Sequence, residues 1–396
     1  MKNWKNYNLG DISKNIMYGY TASASKQNIG PKFLRITDIS SDIIDWNSVP
    51  FCLISDTDLI KYSLEQNDIV IARTGASTGA TYRFTERDPP QTVFASYLIR
   101  LRINMNIANP IYVAYLLKSS MWTNFVENII GGSAQPGANA KNFAEFNFWL
   151  PPLPEQKAIA SVLSSLDDKI DLLHRQNKTL EGIAEALFKQ LFVVEAKNDW
   201  EVTSLGELFS ISIGRTPPRN EKKYFTLNKF DNIWVSIKDM GKNGLYIFES
   251  SEYLTSEAIN KFKIPIINED TVILSFKMTV GRVSITANKM YTNEAIAAFN
   301  GNFNSIIPNI YLYFFLKLYK YDELGTTSTI VTSINSAMIK EIQLAIPSKI
   351  LLDYFNTICL PLFNKIKYNQ KKIFQLEYMR DILITKLLNG EISVLF

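Results

Sequence analysis

Three polar stretches in the first half of the chain carry the side chains best suited to chemistry: TASASKQNIG (residues 21–30), RTGASTGA (73–80) and GGSAQPGANAK (131–141). They offer hydroxyls, amides and cations, without an acid–base or nucleophilic pair among them. Arg and Lys suit guanine edges and phosphates, Asn and Gln suit adenine, and Ser or Thr fit either. The chemistry open to such a set is recognition of phosphates and base edges. Each residue can equally close its own loop, because Ser, Thr, Asn and Gly are also turn formers.

Catalysis has less support. The single histidine, His174, falls in a helical stretch, so a Ser-His-Asp or Cys-His arrangement has nowhere to form in the loops. GGSAQPGA lacks the Lys-Ser/Thr of a phosphate-binding loop. Arg87-Asp88-Pro89-Pro90-Gln91 is similar to the Asp-Pro-Pro-aromatic segment of amino-methyltransferases, but Gln91 brings no ring to stack on a flipped base, and no Gly-rich cofactor loop precedes it. It reads as a turn. Glu195-Ala196-Lys197 and Glu221-Lys222-Lys223 match half of a metal-nuclease motif and lack a strand-borne Asp upstream. Cys52 and Cys359 have no CxxC spacing, which argues against a zinc knuckle or a disulfide scaffold.

The elements that must position these loops begin with two helices. After Pro151, Pro152 and Pro154, apolar residues fall at Ile159, Leu163, Leu166, Ile170, Leu173, Leu180, Ala184, Leu187 and Leu191, with Asn177 in the remaining slot. The alternating spacing of three and four predicts a coiled-coil seam. A shift of 196 residues repeats it: Leu362, Ile366, Asn369, Ile373, Leu376, Leu383 and Leu387 follow Pro347, and Gly390 is a candidate C-cap. Asn177 and Asn369 fall on the seams, where a polar residue fixes register. The alternative for either helix alone is an amphipathic face packed on its own module.

The flanking segments repeat too. Leu9-Gly10-Asp11-Ile12 matches Leu205-Gly206-Glu207-Leu208, Ile36-Thr37-Asp38-Ile39 matches Ile237-Lys238-Asp239-Met240, and NDIVIARTGASTGA aligns with EDTVILSFKMTVGR, pairing Asp68 with Asp270 and Gly79 with Gly281. The chain is a tandem duplication of a globular module and a long helix. The expected boundaries are 1–150 (first module), 151–195 (first helix), 196–345 (second module) and 346–396 (second helix). Short β-type runs and one helical stretch per module predict an α+β fold. If the helices pair antiparallel, the chain gains a pseudo-two-fold axis, and the helix length predicts modules held roughly 55–60 Å apart. The loops diverge far more than the apolar frame, as expected of two readers of different surfaces.

Composition is compatible with this reading. A net charge of +4 over 396 residues permits a nucleic-acid partner without requiring one. The longest apolar stretch, Ile310 to Leu316, is too short to span a bilayer, and residues 1–11 contain no apolar core of a secretory signal, so a cytoplasmic protein without membrane contact is expected.

The lead-in LPPLPEQKAIASVLSSLDDKID, with its heptads, and the segments ARTGASTGA and GGSAQP resemble the specificity subunits of type I restriction-modification enzymes across essentially the whole chain. That resemblance implies two target-recognition domains, each reading one half of a bipartite DNA site, with the paired helices setting the unread gap. It also implies two methyltransferase subunits docked on the chain and two motor-nuclease subunits completing the enzyme. S-adenosylmethionine, ATP and Mg would belong to those partners, leaving this chain non-catalytic and without cofactor or metal of its own. Candidate DNA-binding residues are Lys26, Arg35, Arg73, Ser77, Thr78, Ser133, Gln135, Asn139 and Lys141 in the first module, and Arg215, Thr216, Arg219, Lys238, Lys277 and Arg282 in the second. The second helix departs from the pattern by replacing Pro-Glu-Gln with Pro347-Ser348-Lys349. A nuclease or methyltransferase with an unrecognised site, and a coiled-coil scaffold, are the competing classes.

Overall fold

The computed structural model describes residues 3–40, 44–131, 137–242, 244–301, 307–324 and 334–394. The chain divides into two compact units, Met1–Lys169 with Leu376–Phe396, and Ile170–Gln375. Each unit takes its module together with a stretch of both long helices.

In the first unit the framework strands are β1 (Lys5–Asn8), β2 (Ser13–Tyr18), β3 (Ile69–Ala72), β4 (Thr81–Arg83), β5 (Leu98–Ile103) and β6 (Asn147–Leu150). β1 and β6 pair antiparallel, Lys5 opposite Leu150. The others form an antiparallel sheet in the order β2, β5, β3, β4. β3 is buried on both faces, Ile69 and Ile71 in one core and Val70 and Ala72 in another, which is why it reads as a continuous apolar run. Helices Pro110–Leu116 and Ser120–Ile130 contribute to the first core, the former begun by Asn109, whose side chain accepts from the amides of Ile111 and Tyr112.

The second unit repeats the frame with β7 (Glu201–Ser204), β8 (Phe209–Ile213), β9 (Val272–Ser275), β10 (Val283–Thr286), β11 (Ile296–Gly301) and β12 (Gln343–Ile346). β7 pairs with β12, and the sheet order is β8, β11, β9, β10, extended by Tyr246–Ile247 parallel to β10. The duplication holds at the level of single hydrogen bonds. Leu9 donates to Phe146 O and Leu205 to Ile342 O, each at 2.9 Å. Asp38 accepts the amide of Arg35 and Asp239 that of Ser236. A Cβ at Gly19 would collide with the carbonyl oxygen of Ala95, and one at Gly214 with that of Thr292. Only glycine permits that approach.

One pairing expected from sequence needs correction. Asp68 does not correspond to Asp270: Asn67 (φ 73°) and Asp270 (φ 57°) occupy the same left-handed position, and the place of Asp68 is taken by Thr271. Six residues separate Ala72 from Gly79 but five separate Ser275 from Gly281, so a gapless alignment through the hairpin shifts the preceding strand by one.

The long helices are α1 (Leu153–Lys189), continued by a π-helical turn at Gln190–Val194, and α2 (Lys349–Leu388), which runs through the exposed Pro361. Within each unit they run antiparallel. In the first, Asp167 meets Arg380 at 2.9 Å, while Leu163 shares a core with Ile384, Leu387 and Leu388. In the second, Asn177 meets Asn369, and Phe188 packs on Phe355 with ring centroids 5.9 Å apart. Of the expected seam, Ile159, Leu163, Ile170, Leu173, Ile366, Asn369, Ile373, Leu376 and Leu387 are buried; Leu166, Asn177, Leu180, Leu187, Leu191, Leu362 and Leu383 are half-buried. The buried face is wider than two positions per heptad. Phe188, Phe192, Phe355 and Phe363 join the second module's core, so each helix packs on globular cores as well as on its partner helix.

The two helix starts differ inside. Gln156 is buried, accepts the amide of Asn109 at 2.8 Å and donates to the carbonyls of Ile107 (3.2 Å) and Pro151 (2.8 Å). Its counterpart 196 residues on is Leu352, also fully buried. An apolar side chain replaces a satisfied amide.

Candidate nucleic-acid interface

The RTGASTGA segment is the hairpin loop from β3 to β4. Gly75 (φ 76°) and Gly79 (φ 88°) take its left-handed positions, Thr78 Oγ1 donates to Gly75 O at 2.7 Å, and Trp122 Nε1 anchors the far end by donating to Gly79 O. Residues 137–141, the described end of the GGSAQPGANAK segment, lie against this loop. Ala138 donates to Arg73 O at 2.9 Å, Asn139 caps the helix Ala140–Ala144, and the amide of Ala140 donates to the Tyr18 hydroxyl at 2.9 Å. Two loops more than fifty residues apart in sequence are thus joined around Arg73 and Tyr18.

The guanidinium of Arg73 stands 5.0 Å from the centre of the Tyr18 ring, with Ser77 half-buried in the same hairpin. Tyr97, whose carbonyl accepts the Arg73 amide, is itself exposed. Lys141 and Lys26 are exposed and form no ion pair among the described residues. Ser133 and Gln135 lie outside the described residues. Arg35 is bound on two nitrogens by Asp38, at 3.0 and 2.8 Å, and that hydrogen bond holds its guanidinium above the ordinary arginine value although burial opposes it.

In the second module most of the candidate cations are engaged internally. Arg215 donates to Phe262 O at 2.9 Å and Arg282 to Ile237 O at 2.8 Å. Arg219 binds both oxygens of Glu252 while lying over the rings of Phe225 and Trp234 at 4.5 and 4.8 Å. Thr216 donates to Glu294. Lys277 is half-buried beside the Phe276 ring, and Lys238 is exposed. The exposed Met278 sits at the tip of this hairpin with φ 58°.

The turn reading of the Asp-Pro-Pro segment agrees with the structure: Asp88 accepts from Trp46 Nε1 (3.0 Å), the Tyr82 hydroxyl (2.7 Å) and the amide and hydroxyl of Thr85. Sequence alone does not single out Tyr18 or Tyr97, since tyrosines are spread through the chain. The signal at Tyr18 is its place beside Gly19, whose close backbone approach ends β2 at the loop cluster.

The arrangement offers donors on loops carried by a repeated rigid frame. The profile of the type I restriction modification DNA specificity domain matches residues 1–182 and 197–375. The chain is 25% identical to the HindI specificity subunit of Haemophilus influenzae, over 99% of this chain and 100% of that protein. It is 31% identical to the MjaIX specificity subunit of Methanocaldococcus jannaschii, over 72% of this chain and 69% of that one. Its fold is similar to the crystal structure of a type I restriction-modification S subunit from M. genitalium, with a TM-score of 0.60 at 16% identity, covering 98% and 96% of the two chains. With both of its repeats matched by that profile, the chain belongs to the family of type I restriction-modification DNA specificity subunits.

Proposed function

We propose that each module reads one half of a two-part duplex DNA site and that the helix pair sets the unread gap between the halves. The observation that carries this reading is the repeat itself: one backbone frame, with matching hydrogen bonds at several equivalent positions, presents different side chains at equivalent loop positions. On this reading the boundaries 1–150, 151–195, 196–345 and 346–396 separate the reading modules from the spacer helices. The chain supplies address, and methylation and ATP-dependent cleavage lie with two methyltransferase and two motor-nuclease subunits that bring S-adenosylmethionine, ATP and Mg. No described helix is long and apolar enough to cross a membrane. The complex is assigned to the cytoplasm, where its DNA is.

On this reading a methyltransferase subunit docks on α2. Ile350, Tyr354 and Ile358 recur every four residues and remain exposed. An apolar stripe of this kind favours a protein partner.

The test is to co-express the chain with a cognate methyltransferase subunit and map N6-methyladenine across the host DNA. One two-part motif with a fixed gap is the expected result. An unchanged methylome from subunits shown to be folded and associated would overturn the reading.

A further inference from the structure

The arginines of this chain divide sharply by what they touch. Among the described residues, each arginine but one donates from its side chain to a carboxylate, an amide oxygen or a backbone carbonyl; Arg83, for example, reaches Asn67 at 3.0 Å and Arg102 reaches Asp68 at 2.8 Å. The exception is Arg73. Its Nε is buried without an acceptor, and its terminal nitrogens have no hydrogen bond among the described residues. Its one side-chain partner is the face of Tyr18, at 5.0 Å.

A guanidinium left partly desolvated and unbonded is costly unless something else completes it. Contact with the Tyr18 ring restrains it, and burial of Nε leaves the two terminal nitrogens to act as a fork. Such a fork matches the O6 and N7 acceptors on the major-groove edge of guanine. A phosphate also accepts a fork, so geometry alone does not choose between them.

The second module makes the choice. Three backbone relations identify the residue equivalent to Arg73. Arg73 N donates to Tyr97 O and Phe276 N to Ala295 O; Ala138 N donates to Arg73 O and Ile334 N to Phe276 O; Arg73 directly follows β3 and Phe276 directly follows β9. The equivalent residue is Phe276, which is buried. The equivalent of Tyr18 is Ile213, because Tyr18 is paired with Ile99 and Ile213 with Ala297 at the same register of the repeated sheet. One module therefore holds an aromatic–guanidinium pair where the other packs two apolar side chains. A phosphate contact serves every sequence and has no reason to be confined to one module. A base contact is what two readers of different sequences would not share.

We propose that Arg73, held by Tyr18, reads a guanine in the half-site recognised by the first module. The proposal rests on the reading of the modules as DNA-sequence readers and adds the residue and the base. Tyr18 is the positioning residue: its ring carries the fork, and its hydroxyl ties it to the amide of Ala140.

The experiment uses the full chain with its methyltransferase subunit and duplexes carrying the methylated motif. Each guanine is replaced in turn by 7-deazaguanine, which lacks the N7 acceptor. One position in one half-site is expected to weaken binding roughly ten- to a hundredfold. In Arg73→Ala the same replacement should cost nothing further. A second variant, Tyr18→Ile with Arg73→Phe, copies side chains that the second module's frame already accommodates; it should lose the same guanine and keep the other half-site. Penalties that persist unchanged in both variants, or a uniform loss across sequences with a shallower salt dependence, would overturn the assignment and make Arg73 a backbone contact. Absence of any motif for the parent chain would instead overturn the reading on which the assignment stands.

Discussion

Asn369, fully buried on α2, donates its side-chain amide to Asn177 Oδ1 on α1 at 2.9 Å, while its own Oδ1 has no partner. The pair costs stability and specifies register: any slip along the helices sets an amide against an apolar side chain. Asn177→Leu with Asn369→Leu should raise unfolding stability by about 1–2 kcal/mol in urea. It should also loosen register. Cysteines at Leu173 and Ile373, each four residues from the pair, should cross-link efficiently beside the asparagines and less selectively beside the leucines.

Gln156 predicts an asymmetry between the two helix starts. Gln156→Leu strands the Asn109 amide and the carbonyls of Ile107 and Pro151, and should cost about 2–4 kcal/mol. Hydrogen exchange at the Asn109 amide should quicken with it. The converse change, Leu352→Gln, buries an amide among apolar neighbours and should destabilise the second unit by a comparable amount.

Asp239 gives the second module an acid limit. Burial raises its pKa, but the hydroxyls of Ser236 and Ser251, both at 2.6 Å, and their backbone amides at 2.9 Å outweigh burial and hold the carboxylate below its usual range. A depressed folded-state pKa contributes stability that is present above the unfolded value and is lost as pH falls through the folded one. Asp239→Asn should therefore lower the melting temperature at neutral pH. The difference from the parent chain should shrink as the pH drops below about 4.

Cations without partners among the described residues should behave differently from engaged ones. Replacing Lys26 or Lys141 by Ala should reduce the slope of log K against log salt by about 0.9 each if each meets a phosphate, with little change in melting temperature. Arg219→Ala breaks the Glu252 pair and uncovers Phe225 and Trp234, so its main effect should be on the stability of the second module. Salt titrations of DNA binding beside thermal melts separate the two classes.

The parts legible in the sequence are those fixed by spacing along one element. The seam residues follow from the three-four alternation, whereas Arg35, expected as a free DNA-binding cation, is clasped by Asp38 three residues on. What was not legible depends on partners far along the chain. Phe188 and Phe192 look like ordinary helix residues until Tyr311 and Phe355 arrive beside them, with ring centroids 4.8–5.9 Å apart. Arg282 reads as a free loop cation, yet Ile237 O, 45 positions earlier, binds it. Tyr18 and Arg73 meet only because β2 and β3 flank the same central strand. Two-residue strands such as Phe33–Leu34 are too short for any periodicity to register.

The antiparallel ties that open and close each module, Lys5–Asn8 with Asn147–Leu150 and Glu201–Ser204 with Gln343–Ile346, place the two chain ends of a module side by side. Each module is therefore a closed cassette on a two-stranded stem. A genetic crossover within the stem strands delivers a complete module; it breaks one short ladder of backbone hydrogen bonds, which any side chains of similar size can reform, and requires the new module to repack on the long helices. New address combinations are thus available to this architecture by recombination, without passing through half-built modules.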